Sequence, residues 1–239
     1  MPVAKVEGYT LVKNPFYLAL DRVDLDQAIG LLKGAGKNIL GGKLHQLIDR
    51  LGALRIAEEL AQFAALWGDV KLHDTPDTVR ERAMEYRNAG FTAISVHIKG
   101  GIEMMQAAKE SGLYIIGITE LTSLDEEVSH LGSGQPRKAS ALKLARDAKL
   151  AGIDAVVCST KEVGYLSKRP ELKGLDFIVP GSRSAGQATH DQKNVDTPLN
   201  VMKNGATALV LGRQVVAAAD PLTALAAVVD EIAPALAVA

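Results

Sequence analysis

Cysteine is nearly missing from this sequence. Cys158 is the single one in 239 residues, which excludes an internal disulfide and a cysteine-rich zinc site and fits a reducing compartment. A block of like charge is missing as well. The 27 basic and 28 acidic side chains are spread along the chain for a net charge of -1, so neither a nucleic-acid groove nor attraction to an anionic membrane surface is indicated. No apolar run approaches the roughly 18 residues that a membrane span needs, and residues 1–15 carry no apolar signal core. Together these absences predict a cytoplasmic protein with no nucleic-acid and no membrane partner, whose ligand is a small solute. What is present is apolar content, 47% of the chain, enough at this length to bury a sizeable core in one large α/β domain or two small ones.

Short apolar, β-branched runs alternate with stretches of helical periodicity. Eight runs read as strands: residues 16–21, 38–43, 68–74, 92–98, 114–120, 155–159, 176–181 and 208–213. Between them, residues 78–88, 102–110, 139–150 and 222–232 place apolar side chains three and four apart, as one buried helix face requires. Glycine closes several of these helices, in NAGF (88–91), ESGL (110–113), LAGI (150–153) and KNGA (203–206), where the chain turns back into the next strand. Eight strand-helix units of roughly 30 residues consume the whole chain. Residues 1–239 are therefore expected to form an α/β fold of one domain, a single (β/α)8 barrel. An open doubly wound sheet stays as the alternative, because periodicity does not show closure. The stretches 132–137 and 181–193 follow the fifth and seventh strands, where barrel enzymes carry substrate loops.

Charged residues are out of place inside strands, so Asp69 and Lys71, two apart in the third run, need an account. Period-two geometry sends both to the same face. A buried structural ion pair is one reading, although burying such a pair seldom adds net stability. Asp21 ends the first run, Lys43 ends the second, and Asp74 follows Lys71 by three residues. Five ionisable groups would then meet on one rim, as in an active site, where a low-dielectric cleft perturbs proton affinities and strengthens fields. Asp21 has a competing role as a helix cap, for which Asp24 is the better placed residue. His73 and His97 read as hydrogen-bonded core groups, and no carboxylate-histidine spacing defines a metal site, so no metal is expected. Cys158 reads as a buried small hydrophobe, and Met104 and Met105 read as helix core.

The segments LALD (18–21), Lys43, DVKLHDTPDTV (69–79), VHIKGG (96–101), ELTS (120–123), VVCS (156–159), PGSR (180–183), DQK (191–193) and LGR (211–213) form an ordered set over nearly all of the chain. In that set the sequence resembles the orotidine 5'-monophosphate decarboxylase family. The resemblance implies a TIM barrel that converts orotidine 5'-monophosphate to uridine 5'-monophosphate and CO2, the last step of pyrimidine (UMP) biosynthesis, with no cofactor. It assigns Lys71 to protonate the C6 carbanion within a charged array of Lys43, Asp69, Lys71 and Asp74. It places Asp21 at the ribose hydroxyls, Thr122 at the pyrimidine ring, and Arg183, Gln192, Gly212 and Arg213 at the phosphate. It also implies a homodimer in which Asp74, Thr75 and Thr78 serve the partner's site.

Several positions depart from the family's pattern. Gly42 precedes Lys43 where a bulkier residue is usual, and is expected to leave space or flexibility there. Thr75 replaces an isoleucine. Ser182 and Ser184 stand where isoleucine and proline are usual, and are expected to loosen the phosphate loop. Rival readings are a magnesium-dependent 3-keto sugar acid phosphate decarboxylase or hexulose phosphate synthase of the same barrel type, and a non-catalytic nucleotide-binding barrel. Pro76, the separate Lys43, and the PGSR and DQ segments favour the nucleotide enzyme. The intact Asp69, Lys71 and Asp74 argue against mere binding, which needs no like-charge conflict with a substrate carboxylate.

Overall fold

Each apolar run becomes a strand, and the strands share one parallel sheet. A computed structural model of the chain describes residues 15–121, 126–186 and 196–236. The strands are β1 (Phe16–Ala19), β2 (Gly41–Leu44), β3 (Ala65–Leu72), β4 (Ala93–His97), β5 (Tyr114–Ile118), β6 (Ala155–Val157), β7 (Asp176–Pro180) and β8 (Ala208–Leu211). Helices α1 (Leu25–Ala35), α2 (Gln46–Leu51), α3 (Ala53–Leu60), α4 (Pro76–Ala89), α5 (Ile102–Lys109), α6 (Glu126–Ser133) and α7 (Arg137–Ala151) follow the first five strands. The remaining helices are α8 (Thr160–Leu166), α9 (Pro198–Lys203), α10 (Arg213–Val216) and α11 (Pro221–Leu236). None of the described helices is long and apolar enough to cross a membrane.

Closure decides between barrel and open sheet. Each strand pairs with its successor, and β1 pairs with β8 through Phe16 with Leu209, Tyr17 with Val210 and Leu18 with Leu211. The sheet is a closed barrel in sequence order, with no edge strand to protect. Side-chain alternation then makes two cores. Tyr17, Trp67, Tyr114, Ile116, Ile118 and Ile178 fill the interior of the barrel. Phe16, Leu18, Leu66, Ile94, Ile115 and Val156 point outward into the layer beneath the helices. Each fully buried leucine or isoleucine contributes about 1.5–3 kcal/mol, so the double layer is the main stabilising term.

Local signals set the helix ends. The Asp24 carboxylate accepts from Gln27 N at 2.8 Å while the Gln27 side chain accepts from Asp24 N at 3.0 Å, a reciprocal cap that starts α1 and leaves Asp21 out of capping. Gly90 and Gly152 end α4 and α7 with φ of 108° and 76°, the left-handed turn that a Cβ disfavours. Two strand starts differ from the sequence reading by three residues. The third strand begins at Ala65 rather than Gly68, because Leu66 and Trp67 already alternate between the outer and inner cores. The second begins at Gly41 rather than Asn38, which ends a single 3-10 turn.

Gly42 does not leave a void beside Lys43. A Cβ there would lie 2.9 Å from Leu20 Cδ1 and 3.2 Å from Leu32 Cδ2, so neighbouring leucines already occupy the space. Gly41 is tighter still, since a Cβ would lie 2.2 Å from the carbonyl oxygen of Ala65 on the paired strand. Backbone cannot swing aside as a side chain can. Gly41→Ala is expected to cost about 2–3 kcal/mol in urea unfolding followed by circular dichroism. A loss below about 0.5 kcal/mol, ordinary for surface changes, would show that β2 has room to move.

Candidate active site

The first three strands deliver four charges to one end of the barrel. Lys43 Nζ lies 2.7 Å from Asp21 Oδ2 and 3.0 Å from Asp69 Oδ2, and Lys71 Nζ lies 2.9 Å from the same Asp69 oxygen. The result is a chain of alternating sign, Asp21, Lys43, Asp69, Lys71. Lys43 and Asp69 are buried, whereas the Lys71 side chain keeps 32% of its surface exposed. Asp21 Oδ1 is buried with no hydrogen-bond partner, a lone pair left over for something else. A single structural ion pair explains none of this excess.

Asp69 and Lys71 meet, but not through regular alternation. Gly68 pairs with Ile94 and Leu72 with Val96, so four steps along β3 are matched by two along β4 and the strand bulges between them. Lys71 takes φ of 48°, one of two described non-glycine residues with positive φ. That conformation costs roughly 1–2 kcal/mol for a residue with a side chain. Ser95 on β4 holds it: Lys71 N donates to Ser95 Oγ at 3.0 Å, and Ser95 Oγ donates to Asp69 Oδ1 at 2.9 Å. Ser95 is thus a site residue that sequence reading missed. Its signal was a lone polar side chain two residues after Ala93, on the face that lines the barrel interior.

The charges sustain one another. Burial alone would lower the pKa of Lys43, but the carboxylates of Asp69 and Asp21 outweigh it and hold the ammonium above its ordinary range. Burial would likewise raise Asp69, and the ammonium groups of Lys43 and Lys71 overcome that, so the carboxyl sits below its ordinary value.

Two adjoining hollows open onto this chain. One of about 220 Å³ is lined by Asp69 and Lys71 with apolar walls from Trp67, Ile118, Val157 and Val210. The other, about 440 Å³, is lined by Asp21 and, opposite, Gly181, Arg183, Gly212 and Arg213. Lys43, Pro180 and Val210 border both. Arg183 is buried, with Nη1 donating to the carbonyl of Ser182 at 2.6 Å and Nε left without a partner. Burial, then the neighbouring Arg213 cation, lowers its pKa. Arg213 lines the same hollow, and among the described residues no carboxylate is paired with Arg183. An anion is the complement of a buried guanidinium with an open N–H beside a second cation.

The predicted residues divide. Asp21, Lys43, Asp69 and Lys71 form the chain, and Arg183, Gly212 and Arg213 form the basic end. Asp74 does not join them: the expected meeting of five ionisable groups is a meeting of four within one chain. Asp74 is exposed and its Oδ1 accepts from Thr75 N at 2.7 Å, while Thr75 and Thr78 share a hydroxyl contact of 2.9 Å. The reason is that β3 ends at Leu72, so the residues beyond it turn away on the approach to α4. Thr122 and Gln192 lie outside the described residues.

Other expectations are corrected or met. His73 is exposed and His97 half-buried, with ring centroids 5.5 Å apart, rather than being core groups, again because the strand stops before His73. Cys158, Met104 and Met105 are buried core, and burial pushes the Cys158 thiol well above its ordinary value. Ser184 does not loosen its loop, since its hydroxyl donates to Glu231 at 2.6 Å and its backbone N–H to Gln214 at 3.0 Å. Glu120, at the end of the fifth run, is also a buried rim carboxylate, bonded to Ser140 at 2.5 Å and Lys99 at 3.1 Å. Its strand-end position was the same signal that marked Asp21.

Residues 14–228 match the family model described as orotidine 5'-phosphate decarboxylase / HUMPS family. A curated relative from Nitrosococcus oceani, named orotidine 5'-phosphate decarboxylase, is 34% identical, covering 92% of this chain and 98% of its own. One of the same name from Novosphingobium aromaticivorans is 35% identical, covering 91% and 98%. Among solved structures, the orotidine 5'-phosphate decarboxylase of Lactobacillus acidophilus superposes with a TM-score of 0.77 at 27% identity, covering 92% of this chain and 99% of that one. An uncharacterized conserved protein from Geobacillus kaustophilus does so with a TM-score of 0.76 at 28% identity, covering 91% and 100%.

The charge states predict a pH dependence. Asp69 sits below its ordinary 3.8, so its contribution to folding is present above that pH and is lost as pH falls through the lower folded value. Lys43 sits above its ordinary 10.5, so its contribution is present below that pH and is lost as pH rises through the higher folded value. Asp69→Asn is expected to lower Tm at pH 7 by at least about 4 °C, the size of one to two kcal/mol in a chain of this length. Melts at falling pH should show the gap to wild type closing below about pH 4, the unfolded carboxyl value. A gap that stays constant down to the acid limit would mean that Asp69 is not held ionised.

Proposed function

The chain belongs to the orotidine 5'-phosphate decarboxylase / HUMPS family, and from that premise we propose that it decarboxylates orotidine 5'-monophosphate to uridine 5'-monophosphate and CO2 without a cofactor. The observation that carries the reading is the Asp21, Lys43, Asp69, Lys71 chain, buried at its centre, opening onto a cavity also lined by Arg183 and Arg213. That layout suits a substrate with a carboxylate at one end and a phosphate at the other.

The chemistry follows from charge. Breaking the bond between C6 and the carboxylate leaves its electron pair on C6, where the pyrimidine ring gives little resonance help. An ammonium stabilises that developing charge and then donates its proton to C6, leaving a neutral amine. Lys71 takes this role in our reading, since it lines the apolar-walled hollow and, unlike Lys43, is not enclosed between two carboxylates. The substrate carboxylate would lie against ionised Asp69, a repulsion relieved as CO2 departs. Lys43 holds Asp69 in place, and Asp21, with one oxygen unpartnered, accepts from ribose hydroxyls. Arg183, Arg213, Gly212 and Gln192 take the phosphate, whose binding energy helps assemble the charged array around the reacting bond. Thr122 contacts the pyrimidine ring.

The reading includes a homodimer. Asp74 is exposed and makes no ion pair with the array of its own chain, which supports its serving a second copy together with Thr75 and Thr78. A cytoplasmic location goes with the reading and draws support from the lone, buried thiol of Cys158.

An absorbance assay with orotidine 5'-monophosphate tests the core of this. Wild type is expected to turn the nucleotide over in the presence of a chelator, and Lys71→Ala to lose roughly a thousand-fold or more in kcat. Equal rates in the two proteins would remove Lys71 from the mechanism, and a strict magnesium requirement would favour the sugar-phosphate rivals. Mixing Lys71→Ala with Asp74→Asn tests the shared site, because a hybrid dimer should regain one intact site. No recovered activity, with subunit exchange demonstrated, would place Asp74 outside the partner's site.

A further inference from the structure

The two arginines at the basic end repel each other, and each is followed directly by a residue that binds the other's neighbour. Ser184 follows Arg183, and Gln214 follows Arg213. Gln214 Oε1 accepts from Ser184 N at 3.0 Å while Gln214 Nε2 donates to Ser184 Oγ at 2.6 Å, so one side-chain amide grips both the backbone and the hydroxyl of Ser184. The same hydroxyl donates to Glu231 Oε2 at 2.6 Å, which anchors the pair to α11. Ser184 Oγ therefore both donates and accepts, and all three side chains are half-buried.

We propose that Ser184, Gln214 and Glu231 act as positioning residues, a clasp that ties the loop after β7 to the start of α10 and sets the Arg183 and Arg213 guanidinium groups at the spacing a phosphate needs. This rests on the reading of that end as the phosphate site. The physical reason is preorganisation. Arg183 and Arg213 line one hollow and repel each other, so their approach must be driven by ligand binding energy unless the segments that carry them are already held. The bond to Glu231 is charge-assisted and so is the strongest of the three contacts. It fastens the loops to a helix that contributes nothing else to the site. No part of the clasp touches the reacting end.

The test compares wild type with Gln214→Ala, Ser184→Ala, Glu231→Ala and Glu231→Gln. For each, kcat/KM is measured for orotidine 5'-monophosphate and for the phosphate-free nucleoside orotidine, and Kd for inorganic phosphate is measured by calorimetry. The three alanine variants are expected to lose about ten-fold in kcat/KM on the nucleotide, the size of one lost hydrogen-bonding contact. They should weaken phosphate binding by a similar factor and leave turnover of the nucleoside unchanged. Glu231→Gln, whose amide oxygen still accepts from Ser184 but without the charge, should lose less than Glu231→Ala on the nucleotide. Equal losses on both substrates, or an unchanged phosphate Kd, would overturn the clasp. A wild type inactive on both substrates would sink the decarboxylase reading instead, and the phosphate Kd series would still decide the clasp. Should an alanine variant fail to fold, Glu231→Gln against Gln214→Asn, whose shorter side chain cannot span both contacts, makes the same comparison.

Discussion

The Asp69 carboxylate is the point on which the site turns. One oxygen accepts from both lysines and the other from Ser95, so three strands are registered against a single buried anion. Taking that anion out of water is costly, and the cost is offset only while all three donors stay in place. The bulge in β3 and the left-handed Lys71 are tolerated for this reason: Ser95 bonds the backbone N–H of Lys71 and the carboxylate of Asp69 together, which over-determines a conformation that would otherwise relax. Local strain and buried charge are each unfavourable alone. Together they define one geometry.

Barrel closure supplies the frame in which that geometry lasts. With β1 hydrogen-bonded to β8, the Asp21 end of the first strand and the Arg213 end of the last become neighbours across one opening. The interior below is filled by Tyr17 and Trp67, whose rings meet edge to face at 5.1 Å, so the opening is a cavity with a floor rather than a pore. The division of labour between its two hollows follows from which loops reach it. Strands β2 and β3 bring charge to the apolar-walled part, and the loop after β7 and the start of α10 bring the guanidinium groups.

Much of this was legible in the chain. The eight strands were marked by short β-branched runs, and the helix ends by glycines such as Gly90 and Gly152, because both signals are local consequences of backbone sterics. The charged ends of the first three strands were legible for a related reason: an ionisable residue in an apolar run is too expensive to be incidental. Ser95 and Glu120 carried the same signal in weaker form. Gly42 and Ser184 were misread, since whether a glycine leaves room or a serine loosens a loop depends on what lies opposite. Leu20 and Leu32 fill the first position, and Gln214 and Glu231 grip the second.

The sequence by itself determined the order and kind of the elements, the family pattern, and the identity of the charges at the strand ends. Those are set by period, propensity and composition, all of which act within a few residues. Only the tertiary structure decided that the sheet closes, that Asp69 and Lys71 meet through a bulge rather than through alternation, and that Asp74 stands outside the array of its own chain. Each of these depends on pairing between segments distant in sequence, and the contact energies that choose among pairings belong to the packed barrel as a whole.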